Sequence, residues 1–124
     1  MKTRAAILIM KDWRERAFLR AQLLEEGIRT LAVETLNEGL DWISDKRIIP
    51  AIIIYDNQSQ DDPTADIRLL SEHASSTPIL IIAAGGKRKA IGLERAGFKH
   101  IITRPVRIGR IVEKVKEILE SDLI

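Results

Sequence analysis

The 124 residues amount to one ordinary domain with mass enough for a real core, and 45% hydrophobic against 31% charged residues marks a folded globular chain. Twenty basic and 18 acidic residues leave a net charge of +2, too near balance to call for a nucleic-acid partner, and the lack of cysteine excludes disulfides, thiolate metal sites and thiol nucleophiles. No apolar run approaches the roughly 18 residues that span a bilayer, and the start, MKTRAAILIMKDW, lacks the long apolar core and small-residue cleavage site of a secretory signal, so a cytoplasmic location is expected.

The first element is an apolar run at 5–10 that breaks abruptly at Lys11-Asp12-Trp13. It reads as a strand buried on both faces that delivers charge to a sheet edge. A cation beside a carboxylate needs an explanation there, because a buried charge is expensive unless paired. Helical spacing follows over 13–26, with Trp13, Ala17, Ala21 and Leu24 on one face and Gly27 as the stop. A second β-rich run covers 28–33. Thr35-Leu36-Asn37-Glu38 fits a capping box, opening a helix that turns Leu40 and Ile43 inward. The third strand, 50–55, ends at Asp56. Asp62-Pro63 reads as an N-cap with proline at the first helical position, and Ile67 and Leu70 face the core of that helix. A fourth strand at 78–84 leads into a helix over 87–96, stopped by Gly97. A fifth strand at 100–103 precedes a last helix, 106–119, with Ile108, Ile111, Val112, Val115, Ile118 and Leu119 on one stripe.

Five strands alternating with five helices predict one α/β domain over residues 1–124: a flavodoxin-like, five-stranded parallel sheet of order 2-1-3-4-5 with helices on both faces. No internal repeat or long linker interrupts it. In such sheets functional groups gather beyond the carboxyl ends of the strands. Those ends carry Lys11 and Asp12, then Asp56, then Ala83 and Ala84, then Arg104-Pro105. Asp12 and Asp56 should therefore face one crevice. Mg²⁺ suits such a pair, since it uses one or two carboxylates and keeps several waters, and the backbone carbonyl of Gln58 could add a ligand. A single aspartate at a strand end is more often a cap. Three converging tips argue for a site.

These residues, in this order, resemble the receiver domain of response regulators, the CheY-like module of two-component signalling, over essentially the whole chain. In that family the first strand ends in an acidic pair, the third in the phosphorylated aspartate, the fourth in Thr or Ser followed by Ala, and the fifth in Lys-Pro. The resemblance implies Asp56 as phosphoacceptor, Arg104 as its charge partner, and Mg²⁺ held by Asp12, Asp56 and the Gln58 carbonyl. It implies no enzymatic turnover. It also implies a sensor histidine kinase or a downstream signalling protein as partner, docking on the basic fourth and fifth helices (Lys87-Arg88-Lys89, Arg104, Arg107, Arg110, Lys114, Lys116). No membrane is expected, and the lack of interleaved aromatics in that segment argues against nucleic acid.

Four positions depart from the family pattern, one of them Arg104, which keeps the charge of the family lysine but not its shape. Lys11 replaces the first acid, so Asp12, Asp56, Lys11 and Arg104 sum to zero where the family set carries −2. At about 5–6 Å and an effective dielectric of about 40, that change would cost a bound Mg²⁺ roughly 6 kcal/mol. A millimolar site has only about 4 kcal/mol to lose. An inward Lys11 would thus substitute for the metal and pair with Asp56, whereas an outward one would leave the metal site open. Ala83 lacks the hydroxyl that follows a phosphoryl group, and Ile101 stands where an aromatic switch residue sits in the family. The expectation is an atypical receiver with weak or absent phosphoswitching. The competing readings are a phosphorylation-independent scaffold of the same fold and a flavodoxin-like cofactor enzyme. The last would need a hydroxyl-rich phosphate loop, and KDWRER is wrong for one. His73 and His100 have no ligand spacing, and Gly85-Gly86 lacks the lysine and hydroxyl of a phosphate loop.

Overall fold

A strand covered by helices above and below has no solvent side, so apolar residues are needed at consecutive positions rather than alternate ones. Ile7, Leu8, Ile52, Ile53, Ile54, Leu80, Ile81 and Ile82 meet that requirement, each with 0% of its surface exposed. The computed structural model describes residues 1–57 and 62–121. Its elements are β1 (Thr3–Ile9), α1 (Trp13–Glu25), β2 (Thr30–Val33), α2 (Leu36–Ile43), β3 (Ile48–Asn57), α3 (Thr64–His73), β4 (Ile79–Ala83), α4 (Gly86–Arg95), β5 (His100–Thr103) and α5 (Ile108–Ser121). All strand pairs are parallel, in the order β2-β1-β3-β4-β5. This is the expected flavodoxin-like α/β fold.

The two faces divide by residue parity, as the pleat dictates. Ala6, Leu8, Met10, Ile52, Ile54, Leu80 and Ile82 pack with Leu19 and Leu23 of α1 and with Ile111, Val112, Val115 and Ile118 of α5. Ile7, Ile9, Ile53, Tyr55, Ile81 and Ala83 pack with Ile43 of α2, Ile67 and Leu70 of α3 and Leu93 of α4. Asp56 has the parity of Ile52 and Ile54, which aims it toward α1 and α5.

Local chemistry shapes three details. Thr35 and Glu38 form the capping box of α2, with both hydrogen bonds present. Gly39 is buried where a Cβ would stand 2.5 Å from Ile9 Cδ1, so the bare backbone lets α2 lie close on β1. The β1–β3 register slips between Ala5↔Pro50 and Ala6↔Ile52, which makes Ala51 the extra residue of a bulge. Pro50 brings no N–H to the ladder, and bulges are where sheets accommodate proline.

Two expectations need correction. Trp13, Ala17, Ala21 and Leu24 do share a face of α1, but all are exposed, while Leu19 and Leu23 are the residues buried. Burial went to the face carrying two full-sized leucines rather than the one with two alanines. Asp62 is not the N-cap of α3; Pro63 is, with α-region dihedrals, and the helix begins at Thr64. The Asp62 carboxylate instead accepts from the N–H and hydroxyl of Thr64, at 2.9 and 2.6 Å.

Candidate functional site

The carboxyl end of β3 delivers Asp56 into a crevice bounded by the first turn of α1 and the loop after β5. Asp12 caps α1, its Oδ1 accepting from the backbone N–H groups of Arg14 and Glu15 at 3.0 Å each. That cap fixes the first turn so that Glu15 projects toward the crevice. From the other side comes Arg104, just before a cis Arg104–Pro105 peptide. Its guanidinium reaches both carboxylates. Nε and Nη2 donate to Asp56 Oδ1 at 3.2 and 2.9 Å. Nη1 donates to Glu15 Oε2 at 3.0 Å, and Nη2 also donates to Glu15 Oε1. The planar fork of arginine suits this double duty, which a lysine point charge could not perform.

The Asp56 side chain is 0% exposed, against 20% for Arg104 and 23% for Glu15. Burial raises the Asp56 carboxyl above its ordinary range; Arg104 opposes that shift, and the charges of Glu15 and Asp12 add to it. Arg104 is raised as well: the Glu15 hydrogen bond, above all, holds it more firmly protonated. One oxygen is left over. Asp56 Oδ2 is buried with no hydrogen-bond partner among the described residues, which is uncommon for a buried carboxylate oxygen. Next to it in sequence, Tyr55 donates its hydroxyl to Asp66 Oδ2 at 2.8 Å. Desolvation, first, and Asp66 push that phenol well above its usual range.

Asp56 and Arg104 come together as the sequence suggests, and the charge of Asp12 is felt at Asp56. Lys11 does not behave as the pairing idea required. It is exposed and forms no salt bridge among the described residues, and Arg104 takes that role. Glu15 escaped the sequence reading. Its only sequence signal is its place three residues after Asp12, which puts it on the same side of a helix's first turn. With Lys11 outside and Glu15 inside, three carboxylates face one guanidinium, a balance of −2 rather than zero. Gln58 lies outside the described residues. Ala83 is fully buried and Ile101 half-buried, and both belong to the apolar cluster on the opposite face of the sheet from Asp56.

The orphaned Asp56 oxygen is what a cation would neutralise, and Asp12 uses only Oδ1 in its cap. Asp12 and Asp56 would be the side chains to hold Mg²⁺ there, with water completing its shell. Among the described residues no cluster of three metal-ligating side chains is preformed. The basic surface is also thinner than the sequence implied. On α5, Arg110 pairs with Glu113 and Glu117, Lys114 with Glu117, and Lys116 with Glu26 of α1's end. Lys87 and Arg88 on α4 and Arg107 before α5 stay exposed and form no salt bridge among the described residues. No helix among these residues is long and apolar enough to cross a membrane.

No protein-family model and no curated protein sequence matches the chain. Solved structures share its fold throughout. A CheY-like response regulator receiver domain protein from Methanospirillum hungatei JF-1 is 18% identical at a TM-score of 0.80, with 98% of this chain and 97% of that one covered. A structure of adenylate cyclase from Rhodopirellula baltica is 15% identical at a TM-score of 0.81, covering 98% and 90%. The receiver domain of NtrX from Brucella abortus is 20% identical at a TM-score of 0.76, covering 94% and 98%. In a longer NtrX structure the chain spans only 28% of that protein. The chain has the CheY-like receiver fold.

Proposed function

We propose that the chain is a response-regulator receiver module of two-component signal transduction that acts by binding another protein, with Asp56 its nominal phosphoacceptor and its phosphoswitching weak or absent. One observation carries the reading. The Asp56 carboxylate ends β3, where the resemblance puts the acceptor, yet its side chain is wholly buried and one of its oxygens is held by an Arg104 that Glu15 also grips. A phosphodonor would have to reach an oxygen without solvent access and displace a double ion pair. Mg²⁺ bound by Asp12 and Asp56 would supply positive charge to an incoming phosphoryl group. The exposed Lys11 leaves room for it.

The relay beyond Asp56 supports the same reading. Ala83 offers no hydroxyl to a phosphoryl group and Ile101 no polar handle, so modification at Asp56 would have no donor to move. A sensor histidine kinase or a downstream signalling protein is the partner class we favour, drawn to the cations of α4, and the chain is assigned no enzymatic turnover and a cytoplasmic location. A phosphorylation-independent scaffold of this fold is the second reading, favoured by the complete burial of Asp56. Incubation with acetyl phosphate and Mg²⁺, read by intact mass with Asp56→Asn as control, should give little aspartyl phosphate. Robust, Asp56-dependent labelling would overturn the proposal of a feeble switch. Titration with Mg²⁺ alone separates the two readings, because a pure scaffold shows no metal-dependent change in tryptophan fluorescence.

A further inference from the structure

The outer face of α1 carries apolar surface that nothing in the fold uses. Trp13, Phe18 and Leu24 are 64%, 57% and 42% exposed, and Ala17 and Ala21 between them are exposed too. Exposed apolar residues scattered singly need no explanation, but a contiguous set on one helix does. The charges on that face are also placed against the helix's own dipole. Arg14 sits in the first turn, where a cation is disfavoured, stacked 5.3 Å over the Trp13 ring. Glu25 sits in the last turn, where an anion is disfavoured, and it forms no salt bridge among the described residues. Each would be favoured at the opposite end of an antiparallel helix.

We infer that α1 is a self-association surface, which docks a second copy of this chain through an antiparallel α1–α1 pair. A twofold axis at position 19 brings Ala17 of one copy against Ala21 of the other, where small side chains let the helix axes come close. The same axis lays the Trp13-Arg14 end of one helix alongside the Leu24-Glu25 end of the other, within reach for an apolar contact and an Arg14–Glu25 ion pair one residue off exact register. One symmetry operation thus brings the small residues together at the middle and opposite charges together at both ends, where each end dipole meets the charge it favours. The inference does not rest on the signalling reading, since Glu15 and the crevice lie on the other side of the helix.

Sedimentation equilibrium between about 1 µM and about 1 mM tests it. The chain should dimerise reversibly within that range. Arg14→Glu or Glu25→Arg alone should raise the dissociation constant about tenfold or more, and the double reversal R14E/E25R should restore it to within about threefold. Ala21→Arg should abolish the dimer while leaving the circular dichroism and melting curve unchanged. Because the chain has no cysteine, Phe18→Cys provides a clean cross-link close to the axis; it should form a disulfide dimer under oxidation, whereas Arg107→Cys should not. A chain that stays monomeric to the highest concentration overturns the inference. So does a dimer that ignores the single reversals or is not rescued by the double one.

Discussion

The two sides of the sheet's carboxyl end are built from opposite materials. Toward α1 and α5, Asp56, Glu15 and Arg104 form a charged knot with Asp12 nearby. Toward α3 and α4, Ala83 and Ile101 present methyl groups to Leu93 and Ile81. The first side has the means to hold charge, whereas Ala83 and Ile101 on the second offer no polar group to it. Receiver chemistry needs both, one to take a phosphoryl group and one to report it. In this chain the charged half is present, and the half around Ala83 and Ile101 is plain hydrophobic core.

Removing the guanidinium should have the largest effect on that contrast. Arg104→Ala strands the buried Asp56 and the half-buried Glu15 together, and should cost about 3 kcal/mol in urea unfolding at neutral pH. A loss under about 1 kcal/mol would mean the knot is not what secures this end of the sheet.

Asp56→Asn should act in the opposite sense. Because burial raises the folded carboxyl above its unfolded value, the folded state binds a proton more readily than the unfolded one. Stability attributable to Asp56 therefore falls as pH rises between the ordinary carboxylate value and the raised one. Asparagine imitates the neutral form, so the variant should gain about 1 kcal/mol at neutral pH, and that gain should vanish in acid below the unfolded value. Melting curves of the two proteins that run parallel at all pH values would contradict it.

Glu15→Gln keeps the shape but drops one charge from a partly exposed pair, and should cost about 0.5–1 kcal/mol. Its sharper readout is the Arg104 Nε–H signal in NMR, which should exchange with water faster once one of its two anchors is weakened. The smallest effect is expected on the apolar side. Restoring a hydroxyl and an aromatic ring with A83T/I101Y should leave the response to acetyl phosphate unchanged, because the acceptor remains buried under Arg104. If that double variant alone produced an Asp56-dependent conformational change, the block would lie in the relay and not in the knot.

The architecture was legible because the strands are apolar without alternation, which only a doubly covered parallel sheet explains. Asp56 and Arg104 could be found from the residues just past the end of each strand. Glu15 could not, since its role depends on how the first turn of α1 is aimed at a loop that lies 89 positions further along the chain. Lys11 looked central because it stands beside Asp12, but neighbours at a strand end diverge, and the longer side chain went to water. The face of α1 was misjudged because alanine counts as apolar in a periodicity while contributing little to burial. Two leucines on the other face outweighed it.

Tyr55, next to Asp56, is the sole tyrosine, and its phenol donates a hydrogen bond to Asp66. The protein thus contains its own ultraviolet reporter. Tyrosinate absorbance should be missing on alkaline titration until the chain unfolds, and any ligand that turns the end of β3 should register as a shift in that single chromophore, with no label attached.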